Sequence, residues 1–196
     1  MSQLVSSPRR RYGSGMTHWR SATPRDAPVL EAIRVAAWRT AYRGIVPNSA
    51  LDNLDAARGE ESFRRFLASG DGETYVVEHE GRSVGFVTVG PCRDRDLDPS
   101  TTGEIWGIYV SPDRWGRGIG TWACHEAEAW LSVRGARTAV LWTFEGNDAA
   151  RRFYEARGFA LDGAKRAIDI DKPLPIVRYR KQLTPNEPEA GEPQAR

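Results

Sequence analysis

One junction constrains this chain more than any other feature. The run Glu104-Ile105-Trp106-Gly107-Ile108-Tyr109-Val110 is followed, after Ser111-Pro112-Asp113, by Arg114-Trp115-Gly116-Arg117-Gly118-Ile119-Gly120-Thr121 and then by helix-like sequence. β-Branched and aromatic residues in the first run predict a buried strand. Glycines at 116, 118 and 120 let backbone approach a ligand without Cβ interference, and the amides opening the next helix point at an anion.

Three phosphate-loop patterns compete for this junction. A Walker loop requires GK[ST], and Gly120 is followed by Thr121 with no lysine, so that pattern fails. A dinucleotide fingerprint requires G-x-G-x-x-G at the first strand of a βαβ unit, whereas the glycines here are spaced G-x-G-x-G late in the chain. The remaining pattern is the pyrophosphate loop of coenzyme A enzymes, and here the chain resembles the GNAT N-acetyltransferase superfamily. The loop pattern of that superfamily, [QR]-x-x-G-x-[GA], falls on Trp115, Gly118 and Gly120, with Trp115 a departure. The resemblance implies that Trp115, Gly116, Arg117, Gly118, Ile119, Gly120 and Thr121 bind acetyl-CoA, mostly through backbone amides. A glycine-rich connection without a ligand is the alternative.

A second segment, Asn147-Asp148-Ala149-Ala150-Arg151-Arg152-Phe153-Tyr154-Glu155-Ala156-Arg157-Gly158-Phe159, follows the strand-like residues 138–144 and resembles the other signature of the same superfamily. Asn147 suits a helix N-cap, Ala150, Phe153 and Tyr154 share one helical face, and Gly158 supplies a left-handed stop. By resemblance, Asn147 contacts the pantetheine arm and Tyr154 is the acid that protonates the departing thiolate. Aromatic packing beside Phe153 is the alternative for Tyr154.

An amine attacking a thioester develops an oxyanion, which a preorganised backbone amide stabilises. The family takes that amide from the end of the strand before the loop, here Val110, with Ile108 also along the pantetheine. The amine must lose a proton. Glu104, six positions before Val110, is a candidate base, because the histone-acetylating branch of the superfamily keeps its glutamate there. A solvated strand-end glutamate with a water chain as base is the equal alternative. Trp38, Tyr42 and Trp106 are candidate walls of the acceptor site, with plain packing as their alternative.

Length and composition fit one domain: 196 residues with 40% hydrophobic content bury a core without requiring two. The expected organisation is a disordered extension over 1–16, a GNAT domain over 17–183 and a disordered tail over 184–196, with Met16 an alternative start. The arginines at 9–11 lack the apolar stretch of a secretory signal, and no apolar run is long enough to span a membrane, so a cytoplasmic, non-membrane protein is expected. Lys+Arg 28 nearly balance Asp+Glu 26, which does not indicate nucleic acid. Arg114, Arg117, Arg151 and Arg152 flank the two motifs as candidate phosphate contacts, Arg117 foremost. Cys92 and Cys124 are too few for a metal cage or disulfide framework, and His18, His79 and His125 lack ligand spacing, so no metal is implied.

Periodicity predicts a strand over 17–21, a helix over 24–42, a helical region over 49–68 with a break near Gly59, and a hairpin of strands over 74–80 and 83–89. The Glu104 strand, a helix over 118–134, a strand over 138–144, the Asn147 helix, and closing strands over 159–168 and 176–183 with Pro173 and Pro175 between them complete the order. This is an α+β pattern. The resemblance implies the GNAT (acyl-CoA N-acyltransferase) fold: a central mixed, mostly antiparallel twisted sheet flanked by helices, with strands splayed at the acetyl-CoA site. The expected function is acetyl transfer from acetyl-CoA to a primary amine of an unidentified small molecule or peptide, by direct attack in a ternary complex. A non-catalytic acyl-CoA sensing or interaction module is the alternative, and a homodimer is common for the family.

Overall fold

The computed structural model describes residues 10–12 and 15–184. The elements in chain order are β1 (Arg10–Tyr12), β2 (Gly15–Ser21), α1 (Ala27–Ala41), α2 (Asn48–Asp52), α3 (Ala56–Ser69), β3 (Glu73–His79), β4 (Arg82–Pro91), β5 (Thr102–Val110), α4 (Ile119–Val133), β6 (Thr138–Phe144), α5 (Asp148–Glu155), β7 (Ala160–Asp169) and β8 (Pro173–Gln182). The strands form one sheet in the order β1-β2-β3-β4-β5-β6-β8-β7, antiparallel except where β5 meets β6. This is the expected α+β arrangement, and no helix among the described residues is long and apolar enough to cross a membrane.

Each face of the sheet has its own apolar core. On one, Trp122, Ala123, Ala127 and Leu131 of α4 pack on Val87, Ile105 and Leu141. On the other, Leu30 and Ile33 of α1 meet Val76 and Phe86, while Val46 and Leu51 pack with Phe144 and Ile176. The 3-10 turn Pro24–Asp26 that leads into α1 is capped by Thr23, whose N–H and hydroxyl both donate to Asp26 Oδ2 at 2.8 and 2.9 Å. Arg20 closes the cap with a fork onto Asp26 at 2.7 and 3.0 Å.

Two strand relationships position the site. β5 pairs with β6 only at Thr102↔Thr138, Gly103↔Ala139 and Glu104↔Val140, so the strands separate beyond Glu104 and leave a gap. Between β4 and β5 the register passes from Thr88↔Gly107 to Val89↔Ile105, leaving Trp106 unpaired in a bulge. A bulge adds one residue to one strand and re-aims its side chains.

The structure corrects the sequence expectations in four places. Within segment 1–16, expected to lack regular structure, Arg10–Tyr12 pairs with Gly15–Thr17, and β2 starts at Gly15 rather than at residue 17. The remainder of the two expected disordered ends, 1–9, 13–14 and 185–196, lies outside the described residues. The second helical region divides at 53–55, not at Gly59, because Asp55 caps α3 by accepting from Ala57 and Arg58 N–H. Gly59 is inside α3 as a close-approach residue: a Cβ there would sit 1.9 Å from Glu31 Oε1. Pro173 and Pro175 lie in β8, not in its connection. They precede the first β8 pairing with β6, Phe144↔Ile176, so neither proline costs that ladder a donor, and the Pro175 carbonyl still accepts from Glu145 N–H at 2.9 Å.

Candidate functional site

The register fixes which backbone groups at the end of β5 are free. Ser111 N–H donates to the Val84 carbonyl at 2.8 Å, so the pair one step inward, Gly85↔Val110, exchanges no bonds with β4. In an antiparallel ladder bonding and non-bonding pairs alternate. The backbone N–H of Val110, and of Ile108 two residues before it, therefore turns away from β4 and into the gap beside β6. The Val110 carbonyl on that side accepts from Trp115 Nε1 at 2.7 Å. Trp115 is thus a strut that ties the loop to the strand end, a use its 44% exposure alone would not reveal.

The loop then enters α4. Gly116 and Gly118 have φ of +74° and +80°, the left-handed region that favours glycine, with open space where a Cβ would point. Gly118 is the N-cap of α4 and brings no side-chain cap, and the first helical bond runs from Trp122 N–H to the Gly118 carbonyl. The preceding amides of Ile119, Gly120 and Thr121 are the orphan donors of the helix start, aligned with its positive dipole end. A pyrophosphate fits such a cradle.

α5 supplies the opposite wall. Asn147 Oδ1 caps it by accepting from Ala150 N–H at 3.1 Å, which leaves the carboxamide NH₂ as the group offered to a ligand. Arg151 holds the helix in place by donating to the Tyr179 hydroxyl at 3.2 Å and the Glu145 carbonyl at 3.2 Å. Tyr154 stands edge-on to Phe153 and Phe159 at 5.0 and 5.8 Å between centroids. Burial, with smaller effects from Cys124 and Tyr109, raises its pKa far above the ordinary tyrosine value, so the hydroxyl keeps its proton. Burial also pushes the Cys124 thiol up to about 12, which leaves it a poor nucleophile.

These parts line one cleft of about 780 Å³. Of the expected residues it brings together Ile108, Val110, Trp115, Gly116, Gly118, Ile119, Gly120, Thr121, Asn147 and Tyr154, along with Trp38, Tyr42 and Trp106. Arg114 also lines it, and four expected residues do not: Arg117, Arg151, Arg152 and Glu104. Arg117 is exposed and absent from the cleft wall; its place is taken by Arg157, which stacks on Phe153 at 3.5 Å and donates to Thr121 Oγ1. Glu104 is buried outside the cleft wall, where its two oxygens accept from Arg93 at 2.5 and 3.1 Å and from the Arg93 N–H at 3.0 Å. Its acceptor capacity is directed at an arginine, and its 1% exposure corrects the alternative of a solvated strand-end glutamate.

Sequence reading missed Tyr109, Trp142 and Arg157. Strand alternation contained the signal for the first: Tyr109 lies between Ile108 and Val110 and faces the opposite side. Trp142 alternates in the same way with the core residue Leu141. Arg157 had no signal in its own motif, since its role comes from Thr121, which is 36 positions away.

The description "Acetyltransferase (GNAT) family" belongs to a family model that matches residues 34–159. A probable N-acetyltransferase of Mycobacterium tuberculosis is 30% identical over 74% of this chain and 80% of its own length. An aminoglycoside N(6')-acetyltransferase type 1 of Stenotrophomonas maltophilia is 26% identical over 85% of this chain and 94% of its own. Among solved structures, a GCN5-related N-acetyltransferase from Rhodopseudomonas palustris superposes with TM-score 0.69 and 25% identity, covering 89% of this chain and 99% of that one. The PaiA N-acetyltransferase from Thermoplasma acidophilum, solved in complex with coenzyme A, has TM-score 0.66 at 16% identity over 85% and 98% of the two chains.

Proposed function

From the premise that the chain belongs to the acetyltransferase (GNAT) family and is an acyltransferase using acetyl-CoA, we propose that it transfers acetyl to a primary amine of a small molecule or peptide, by direct attack within a ternary complex. The observation that carries this reading is the opening of the Val110 N–H and the Tyr154 phenol onto one cleft, at the gap where β5 and β6 part.

The thioester supplies an activated acetyl group, and this chain's residues supply the rest. Amides of residues 119–121 receive the pyrophosphate, with Arg157 adding positive charge beside them. The free edge of β5 at Ile108, with the Asn147 carboxamide, holds the amide-bearing arm. Val110 N–H donates to the acetyl oxygen as negative charge grows there. Tyr154 retains a proton until the carbon–sulfur bond breaks and then delivers it to the departing sulfur. The amine's proton leaves through cleft water, because Glu104 is engaged by Arg93.

The test is turnover itself. Protein, acetyl-CoA and a panel of amines should release free thiol and give an acetylated amine by mass spectrometry. Thiol release without any acetylated amine would refute amine transfer.

A further inference from the structure

We infer that the acceptor is a primary amine carried on an aromatic or bulky apolar body, and that polycationic amines are poor substrates. This deepens the proposed acetyl transfer and rests on it. The two walls of the cleft belong to different cores. Ile108, Val110, Phe153 and Tyr154 pack with the α4 side of the sheet. Trp38, Tyr42 and Trp142 pack with the α2 side, and Tyr109 with α1. With Trp106 of the bulge, these rings form the wall facing away from the cofactor loop, and all five are half-buried with surface left to the cleft.

Charge is arranged against a polycation. Among the described residues no aspartate or glutamate lines the cleft, and its charged residues are Arg114 and Arg157. Three buried carboxylates are each engaged by an arginine, Glu104 by Arg93, Glu31 by Arg34 at 2.5 Å and Asp94 by Arg178 at 3.0 Å, with Asp94 also accepting from Trp142 Nε1 at 2.9 Å. Those same arginines lie over the aromatic rings, Arg93 at 4.1 Å from Trp106, Arg34 at 5.3 Å from Trp38 and Arg178 at 5.6 Å from Trp142. A ligand with several ammonium groups finds no anion here and meets rings already shared with cations. One amine on a flat apolar body matches the wall, because aromatic faces stack on it and one nitrogen alone must be desolvated. A wall without carboxylates also favours the neutral, nucleophilic amine.

The experiment compares kcat/KM of the full chain for 2-phenylethylamine, spermidine and kanamycin at saturating acetyl-CoA, with acetyl-CoA binding measured separately by calorimetry. The expected result is a preference for 2-phenylethylamine of about tenfold or more, the scale on which an apolar pocket discriminates. Trp142→Leu should lower kcat/KM for that amine about tenfold while leaving acetyl-CoA affinity unchanged, consistent with the loss of one stacking face. Spermidine or kanamycin turned over as well or better would overturn the inference. So would binding of acetyl-CoA with none of the three amines acetylated, an outcome that leaves the donor site standing. Failure to bind acetyl-CoA at all would instead bring down the reading on which the inference rests.

Discussion

The indole Nε1 of Trp115 donates a 2.7 Å hydrogen bond to the carbonyl oxygen of Val110. A residue that departs from the usual loop pattern thereby ties the loop to the strand end from which the proposed oxyanion donor projects. Trp115→Phe keeps the ring and removes the donor. It should lower kcat/KM about fivefold to tenfold, the worth of roughly 1 kcal/mol from one hydrogen bond. An unchanged kcat/KM would mean that the loop holds its position without the strut.

Tyr154→Phe removes the proposed acid. Its kcat should fall by a factor of about 10² or more, the usual contribution of a positioned proton donor, with acetyl-CoA affinity nearly intact. Because burial raises the Tyr154 pKa, the phenol stays protonated as pH rises through neutrality, and wild type should show no loss of rate there from its ionisation. Equal kcat values in the two proteins would assign Tyr154 to packing.

Glu104→Gln separates a structural carboxylate from a catalytic one. The neutral side chain loses its charge-assisted bonds with Arg93, at a cost of about 2 kcal/mol in stability. Rate per folded molecule should remain within about threefold of wild type, well short of the 10² expected for loss of a general base. A large fall in rate at neutral pH that recovers as pH rises would restore Glu104 as the base.

How much the sequence disclosed follows from how far apart the partners lie. The strand–loop–helix junction was legible because Gly118 and its neighbours act through their own backbone, and Asn147 because a cap acts within three residues. Trp38, Tyr42 and Trp106 line the cleft. The environment of Glu104 was not legible, since Arg93 approaches it across a loop, and spacing within β5 says nothing about that loop. The splay was equally hidden: residues 105–110 and 141–144 have ordinary strand composition, and their separation appears only in the pairing. Gly59 misled because a helix-breaking residue and a close-approach residue are identical in sequence.

Acid should weaken the capping box of the turn that leads into α1. Arg20, followed by Thr23, holds the Asp26 pKa down to about 2 from an ordinary 3.8. A depressed carboxylate stabilises above its unfolded value, so the contribution is intact above about pH 4 and is lost as pH falls toward 2. Asp26→Asn should lower the melting temperature at neutral pH by roughly 3 °C, from the loss of about 1 kcal/mol of capping. The gap between variant and wild type should narrow between pH 4 and pH 2; a gap independent of pH would remove the ion pair from the account.

The most direct measurement is calorimetric titration of acetyl-CoA into the full chain, with Gly118→Val as the comparison. One saturable site of micromolar affinity is predicted, about −8 kcal/mol at 1 μM. Gly118→Val should weaken it, because Gly118 sits at φ +80° in the cradle. No saturable heat from wild type at millimolar acetyl-CoA would contradict the central claim that this cleft is built for the cofactor.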